Sequence, residues 1–358
     1  MISTVRVLSF HADYGCRHRG RCCSSGWPIA VEGDERTRFE HAIDAGVLTP
    51  AGSPSSVFSS GARPGPSLLA SSHGHCVFHD DTPEGGCRIH RAMGHAALPL
   101  ACRQFPRQSV SDPRGVSVTL SHYCPTASDL LIDYSGRTTI VDNAPAFPRE
   151  GEYVGLTADP SLPPLLHPRL AMDWESWWLF EELSVSLLSE ERSVRLSDAR
   201  GQLSRLALAV EYARGWTVES GMLSTHLREA FRRARTATVP VTNLSNTSID
   251  ERIGDVLAAV PADWRGAATN ALSTVQGTRL DEAIAGRFLS AHAFANWAAY
   301  QGEGLRTWFR AVETAAAVLS RTADPGRADL LLRHLSDSTA LIDRWRRAEA
   351  EPAIAASG

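Results

Sequence analysis

The chain has 358 residues, 43% of them apolar and 21% charged, and carries a formal net charge of −4. These values fit a globular protein with a substantial core and room for two domains. They exclude any general case for binding nucleic acid or a membrane surface. All 36 basic residues are arginine. Two readings fit that bias: a compositional drift that also enriches Ala, Gly and Pro, or an enzyme that acts on lysine amines and has none of its own to modify.

The N-terminal stretch "MISTVRVLSFHADYG" has no basic region followed by a long apolar run, so no secretory signal is expected. No apolar stretch reaches the roughly 18–20 residues of a spanning helix; "WESWWLFEELSVSLL" is interrupted by Glu175, Glu181 and Glu182. A cytoplasmic protein is therefore expected. Its seven cysteines should be reduced there and should serve a metal rather than disulfides.

In chain order, the first feature is "CRHRGRCC", with Cys16, Cys22 and Cys23. Adjacent cysteines point to opposite sides of an extended chain, so they either serve different sites or sit in a tight turn. Gly20 gives this loop the freedom to fold around a metal. Residues 49–72, rich in Ser, Gly and Pro, read as a flexible insertion. Cys76 and Cys87 then flank a turn containing Pro83, Gly85 and Gly86, and Cys102 is followed by Arg103 and Arg107. In "GVSVTLSHY", Val116, Val118 and Leu120 alternate with Ser117, Thr119 and Ser121, the pattern of a half-buried strand. Cys124 ends that strand, immediately before Pro125, which suits the opening of a helix. "TTIVD" (138–142) is a second strand candidate.

A Pro-rich passage at 144–168 separates this half from a helical one that holds eight of the nine tryptophans. Leu280, Ile284, Phe288, Ala291 and Ala295 follow helical spacing, as do Leu305, Trp308, Phe309, Val312, Ala316 and Leu319. Asp324 and Pro325 form an N-cap and first-turn pair, opening a helix with Leu331, Leu335, Ile342 and Trp345 on one side. The expected fold class is α+β. A cysteine-rich metal-binding domain (1–143) is followed by a linker (144–168), a helical domain (169–350) and a disordered tail (351–358).

Thiolates bind zinc tetrahedrally or iron in iron–sulfur clusters. Separated, loop-borne positions suit a folded cage better than a linear finger. All seven thiols are candidate ligands: Cys16, Cys22, Cys23, Cys76, Cys87, Cys102 and Cys124. Arg103 and Arg107 are candidate anion holders, since a guanidinium grips carboxylates bidentately; pairing with Asp80, Asp81 or Asp112 is the structural alternative. Asp80, Asp81 and Glu84 either receive an incoming ammonium or form a solvated turn.

These residues resemble a known family. "YGCRHRGRCC" is similar to the CxxCGxCC signature of the zinc- or iron-chelating cysteine-cluster proteins. "CVFHDD…GCRIHRAMGHAALPLACRQFPR" with "VSVTLSHYCPTASDLL" resembles more narrowly the flagellin lysine-N-methylase branch, as do Trp27 after the paired cysteines and the CR-x-[FY]-PR element at Cys102–Arg107. The resemblance covers about residues 10–135. It implies an iron–sulfur cluster ([4Fe–4S]) or zinc, S-adenosylmethionine (SAM) as methyl donor and a flagellin-like protein substrate; Arg103 or Arg107 would then hold the SAM carboxylate or neutralise a cluster with four thiolates.

One departure from that pattern is Arg19, which stands where the second cysteine belongs. Seven thiols then leave one position open or filled by His18 or His90. A three-cysteine cluster with an open iron would give SAM a place to bind. The chain shows neither the glycine-rich loop of the usual SAM-binding nucleotide fold nor the CxxxCxxC triplet of common radical-SAM enzymes. A non-enzymatic metal-binding or storage protein and an iron–sulfur electron carrier fit the same cysteines.

Overall fold

The computed structural model describes residues 4–24, 29–51, 57–60, 67–72, 75–80, 86–190, 199–238, 246–273, 280–301 and 303–351. Its architecture is a mixed one of helices and small sheets. The central sheet has five strands in the order Gly155–Thr157, Arg107–Asp112, Gly115–Leu120, Thr4–Leu8 and Ile140–Asp142. The hairpin of 107–112 with 115–120 is antiparallel, whereas Thr4–Leu8 runs parallel to 115–120, pairing Val5 with Val116 and Val7 with Val118. Both strands expected from the sequence belong to this sheet.

Strand Gly115–Leu120 departs from the half-buried expectation. Its polar face is buried as fully as its apolar face: Ser117, Thr119 and Ser121 are at most 2% exposed. That face meets the helical part, where the Thr119 hydroxyl donates to the Ala291 carbonyl at 3.0 Å and Ser121 Oγ bonds His334 Nε2 at 2.7 Å. The alternation arises because one face packs on hydrocarbon and the other on hydrogen-bonding partners, which satisfies buried hydroxyls.

The main core joins the two halves. Leu8, Phe10, Val110 and Leu131 share it with Trp177, Phe180, Phe231, Phe288, Trp308 and Leu331. An ion network crosses the same boundary. Arg114 lies 3.0 Å from Asp112 and 2.8 Å from Glu181, and Glu181 also accepts the backbone N–H of Ala295 at 3.0 Å. Passage 144–168 is packed rather than loose: Phe147 and Leu166 are fully buried, and Gly155–Thr157 adds a parallel edge strand to the sheet.

The helices expected at 280–295 and 305–319 are observed as Glu282–Ala293, capped by Asp281, and Leu305–Thr322. Asp324 caps Pro325–Asp329 by accepting the Arg327 N–H. The single helix expected beyond it is broken. A π-helical stretch, Leu330–Leu335, precedes a stop at Ser336, and Asp337 caps a new helix, Ser338–Trp345. A π-turn and an Asx cap reset the phase of the apolar face while keeping Leu331, Leu335 and Ile342 buried.

A smaller unit carries three of the cysteines. It has its own core of Ile29, Val31, Phe39, Val57, Val77, Phe78, Ile89 and a few others, with Cys76, Cys87 and Cys102 packed against it. Its strands are short: Ala30–Val31, Ser67–Leu69 and Phe58–Ser60 form one sheet, and Ser71–Ser72 pairs with His75–Cys76. Part of the expected insertion 49–72 is thus sheet; residues 52–56 and 61–66 lie outside the described residues, as does 352–358 of the expected tail. Among the described residues no helix is long and apolar enough to cross a membrane.

Candidate metal centre

Six of the seven cysteines line one cavity of about 330 Å³: Cys16, Cys22, Cys23, Cys87, Cys102 and Cys124. The seventh, Cys76, packs with Cys87 and Cys102 against the core of the smaller unit. No disulfide is present among them. A larger cavity, about 630 Å³, lies between turn 135–138 and the helices Trp174–Leu188 and Glu282–Ala293, but its lining holds no thiol or imidazole.

Local backbone geometry brings the thiols in from separate elements. Gly20 adopts φ +70°, and a Cβ there would lie 2.7 Å from Gly86 N, so this loop rests directly on the loop before Cys87. Gly20→Ala should therefore lower stability by about 1–3 kcal/mol, read from the urea midpoint; an unchanged midpoint would mean that the two loops do not pack in solution. Cys22 and Cys23 occupy a short 3-10 turn, Arg21–Ser24, which places their sulfurs 4.0 Å apart. Cys76 ends the hairpin strand His75–Cys76, Cys87 caps the helix Arg88–Met93, and Cys124 caps Pro125–Asp133.

Two of the sulfurs accept backbone hydrogen bonds. His18 N–H donates to Cys16 Sγ at 3.4 Å and Phe78 N–H to Cys76 Sγ at 3.5 Å. Cys87 is held down to about 7 by the Cys23 thiol and by the N–H groups of His90 and Ile89, against the effect of burial. Cys22 is lowered by its bond from Cys23. Cys23 itself is raised, first by its neighbour Cys22, then by Cys76, Cys87 and burial. Burial raises Cys102, and the nearby thiols of Cys22, Cys76 and Cys87 add to it; burial also raises Cys16. Cys16 and Cys124 form the opposite wall with Tyr14, whose hydroxyl is 3.7 Å from Cys124 Sγ.

His18 and His90, the candidate substitutes for the missing eighth thiol, stack with ring centres 3.8 Å apart, and His18 Nδ1 is 3.6 Å from Cys16 Sγ. Arg19 is bonded to Asp129 at 2.8 Å. Among the described residues, no group of three or more His, Cys, Asp or Glu side chains is placed so that it could hold a metal ion. Cys22 and Cys23 are within hydrogen-bonding distance of one another.

The two arginines differ. Arg103 is held by Glu152 at 3.3 Å, Glu35 at 3.6 Å and the Leu98 carbonyl, so neither Asp80 nor Asp112 is its partner. Arg107 makes no ion pair among the described residues; it lies over the Tyr14 and Phe147 rings, and its buried Nε has no hydrogen-bond partner. Asp80 is buried and paired with Arg91 rather than standing in a solvated turn. Asp81, Glu84 and Trp27 lie outside the described residues.

Sequence reasoning missed a buried polar cluster directly behind Cys124. Asp329 accepts from His122 Nδ1 at 2.9 Å, from the His122 backbone N–H at 2.5 Å, from His292 Nε2 at 2.7 Å and from Arg333 Nε at 3.1 Å. With Nδ1 donating, His122 Nε2 accepts from His11 Nε2 at 3.2 Å, which leaves the fully buried His11 Nδ1 without a partner. The one signal in the sequence is "SHYCP", where a histidine stands two residues before a cysteine.

No family model, curated protein or solved structure matches the chain.

Proposed function

We propose that the cavity holds a thiolate-bound iron–sulfur centre and that the chain transfers a methyl group from SAM to a lysine of a flagellin-like protein substrate. The observation that carries the metal part is the convergence of six cysteines on one cavity. An all-sulfur donor set, two members of which accept backbone N–H groups, suits soft or borderline metals. The methyl-transfer part rests on the resemblance of residues 10–135. When bound, such a centre supplies an iron site at which SAM is held and activated.

The chain's own residues supply the rest. The unpartnered Nε of Arg107 is suited to an anion such as the SAM carboxylate, while Arg103, already clamped by Glu35 and Glu152, keeps the cavity wall in place. The buried thiols Cys23 and Cys124 exclude water from the floor of the site. A second reading, a non-enzymatic protein holding a metal ion, is favoured by the 4.0 Å spacing of Cys22 and Cys23. That value is close to the edge of about 3.8 Å that a tetrahedron of 2.3 Å zinc–sulfur bonds requires.

Metal and acid-labile sulfide content after anaerobic purification separates the two. Brown protein carrying iron and sulfide, with an EPR signal that SAM perturbs once the protein is reduced, is the expected result. Colourless protein carrying zinc alone would overturn the methylase reading and leave the second.

A further inference from the structure

A third cavity, of about 110 Å³, lies where the central sheet meets the helical part. Its walls are aromatic and aliphatic, with Phe294, Trp297, Ile342 and Trp345 among them. Trp297 is 37% exposed, the most exposed tryptophan among the described residues. A large ring left in water beside a cavity is surface that a ligand can cover.

The polar groups of this cavity form one hydrogen-bonded chain. Gln108, on strand Arg107–Asp112, accepts from Arg333 Nη1 through its Oε1. Arg333 Nη2 donates to the Ala291 carbonyl at 3.2 Å, and its Nε lies 3.1 Å from Asp329 Oδ1. The same Asp329 oxygen accepts from His292 Nε2 at 2.7 Å. A guanidinium has only donors and a carboxylate only acceptors, so both ends of the chain are fixed. Gln108 turns its oxygen to Arg333, which leaves its NH2 group as a free donor. His292 carries its proton on Nε2, which leaves Nδ1 as a free acceptor. Neither free end has a hydrogen-bond partner among the described residues, although both side chains line the cavity.

One donor and one acceptor are thus held in place on the wall of a small, largely apolar cavity. The group that matches them is planar and carries an N–H beside a C=O. A carboxylate has no hydrogen for His292, and an ammonium has no oxygen for Gln108. The volume equals that of about three or four water molecules, which admits a short amide and no nucleotide.

We propose that this cavity is a binding site for a primary carboxamide. His292 Nδ1 accepts the amide hydrogen, Gln108 Nε2 donates to the amide oxygen, and Trp297 and Trp345 cover the carbon stem. Asp329 and Arg333 hold the two polar ends in their orientations. This cavity shares no lining residue with the thiol cavity, so the inference stands apart from the metal and methyl-transfer readings.

The test uses the full chain and ligand-observed NMR with propionamide, propionate and butanone, which have nearly the same shape. Propionamide should bind with a Kd on the order of millimolar. The other two should bind at least about fivefold more weakly, because each leaves His292 Nδ1 unpaired. Gln108→Glu keeps an acceptor for Arg333 and turns the free donor into an acceptor. It should weaken propionamide by at least about fivefold and favour propionamidine, whose cation donates at both ends. Should that variant not fold, Trp297→Ala replaces it; the position is exposed, and propionamide should again bind more weakly than to the unaltered chain. Blocked tripeptides with a central glutamine or leucine identify the source of the amide. Binding of the glutamine peptide alone assigns a side chain of a peptide or protein, and binding of propionamide but neither peptide assigns a free amide. No binding of propionamide, equal binding of propionamide, propionate and butanone, equal binding of the two peptides, or unchanged propionamide affinity in the variants would each overturn the assignment.

Discussion

Cys23→Ser should strip the chain of its thiol-bound metal and leave the unit around residues 29–102 open to protease. Cys23 is 6% exposed, lines the cavity and has its sulfur 4.0 Å from that of Cys22. A serine hydroxyl is harder and far less acidic than a thiol, so it neither gives up its proton to the ion nor matches its preference for sulfur. Loss of an outer-shell partner typically weakens a metal by about 10–100-fold, and loss of a direct ligand should exceed that. Because metal binding by a small module is largely folding free energy, the same change should accelerate cleavage between residues 29 and 102. The helical part, with Trp177, Phe180, Phe231 and Trp308 in its core, should resist cleavage as before. Metal content and a protease time course on the same samples check both halves of the expectation. A variant that keeps full metal occupancy would show that Cys23 is an ordinary buried thiol.

The cysteine positions were legible because thiols that converge on one point need no particular helix or strand to be recognised. Cys87 and Cys124 stand at helix N-caps, Cys22 and Cys23 in a 3-10 turn, Cys76 in a two-residue strand and Cys102 in a short helix, and Cys124 before Pro125 even marks the helix that it opens. Strand 115–120 was legible from alternation, and the helices at 282–293 and 305–322 from their apolar spacing. What the sequence hid was how the halves meet. Ser117, Thr119 and Ser121 look like a solvent face, because a short hydroxyl has the same pattern whether it meets water or Ala291 and His334. Glu181 looks like a break in an apolar run, yet it is fully buried against Arg114. Arg103 finds Glu35 and Glu152, dozens of residues away on either side, where the nearer Asp80 and Asp112 were the visible candidates. Long-range ion pairs leave no periodicity, so charge alone does not reveal its partner.

The polar cluster around Asp329 is the plainest case, since its members come from positions 11, 122, 292, 329 and 333. Asp329→Ala should destabilise the chain by about 3–5 kcal/mol, because it leaves the buried Arg333 guanidinium without its counter-charge and strands the His122 and His292 donors. The same cluster sets an acid limit. Burial lowers His292 and His334 to about 4, while histidines in the unfolded chain take up protons from about 6.5. As pH falls from about 6.5 toward 4 the unfolded state therefore binds more protons than the folded one, and stability declines. Burial alone would raise the Asp329 carboxyl, but Arg333 and His292 hold it well below the usual range. Its contribution is present above the unfolded carboxylate value and is lost as pH falls further, so both effects run in the same direction. Urea midpoints across pH 4–8 should show a plateau above about 6.5 and a decline below it. Asp329→Ala should have a lower plateau with the same onset, since the histidines still bury without protons. Because the His122 backbone N–H also bonds to Asp329, two residues before Cys124, the variant should also expose that thiol to alkylation in the metal-free chain sooner than Cys102. Equal midpoints for the two chains, or alkylation of Cys124 at the unaltered rate, would mean that the helical part does not hold the wall of the metal cavity in place.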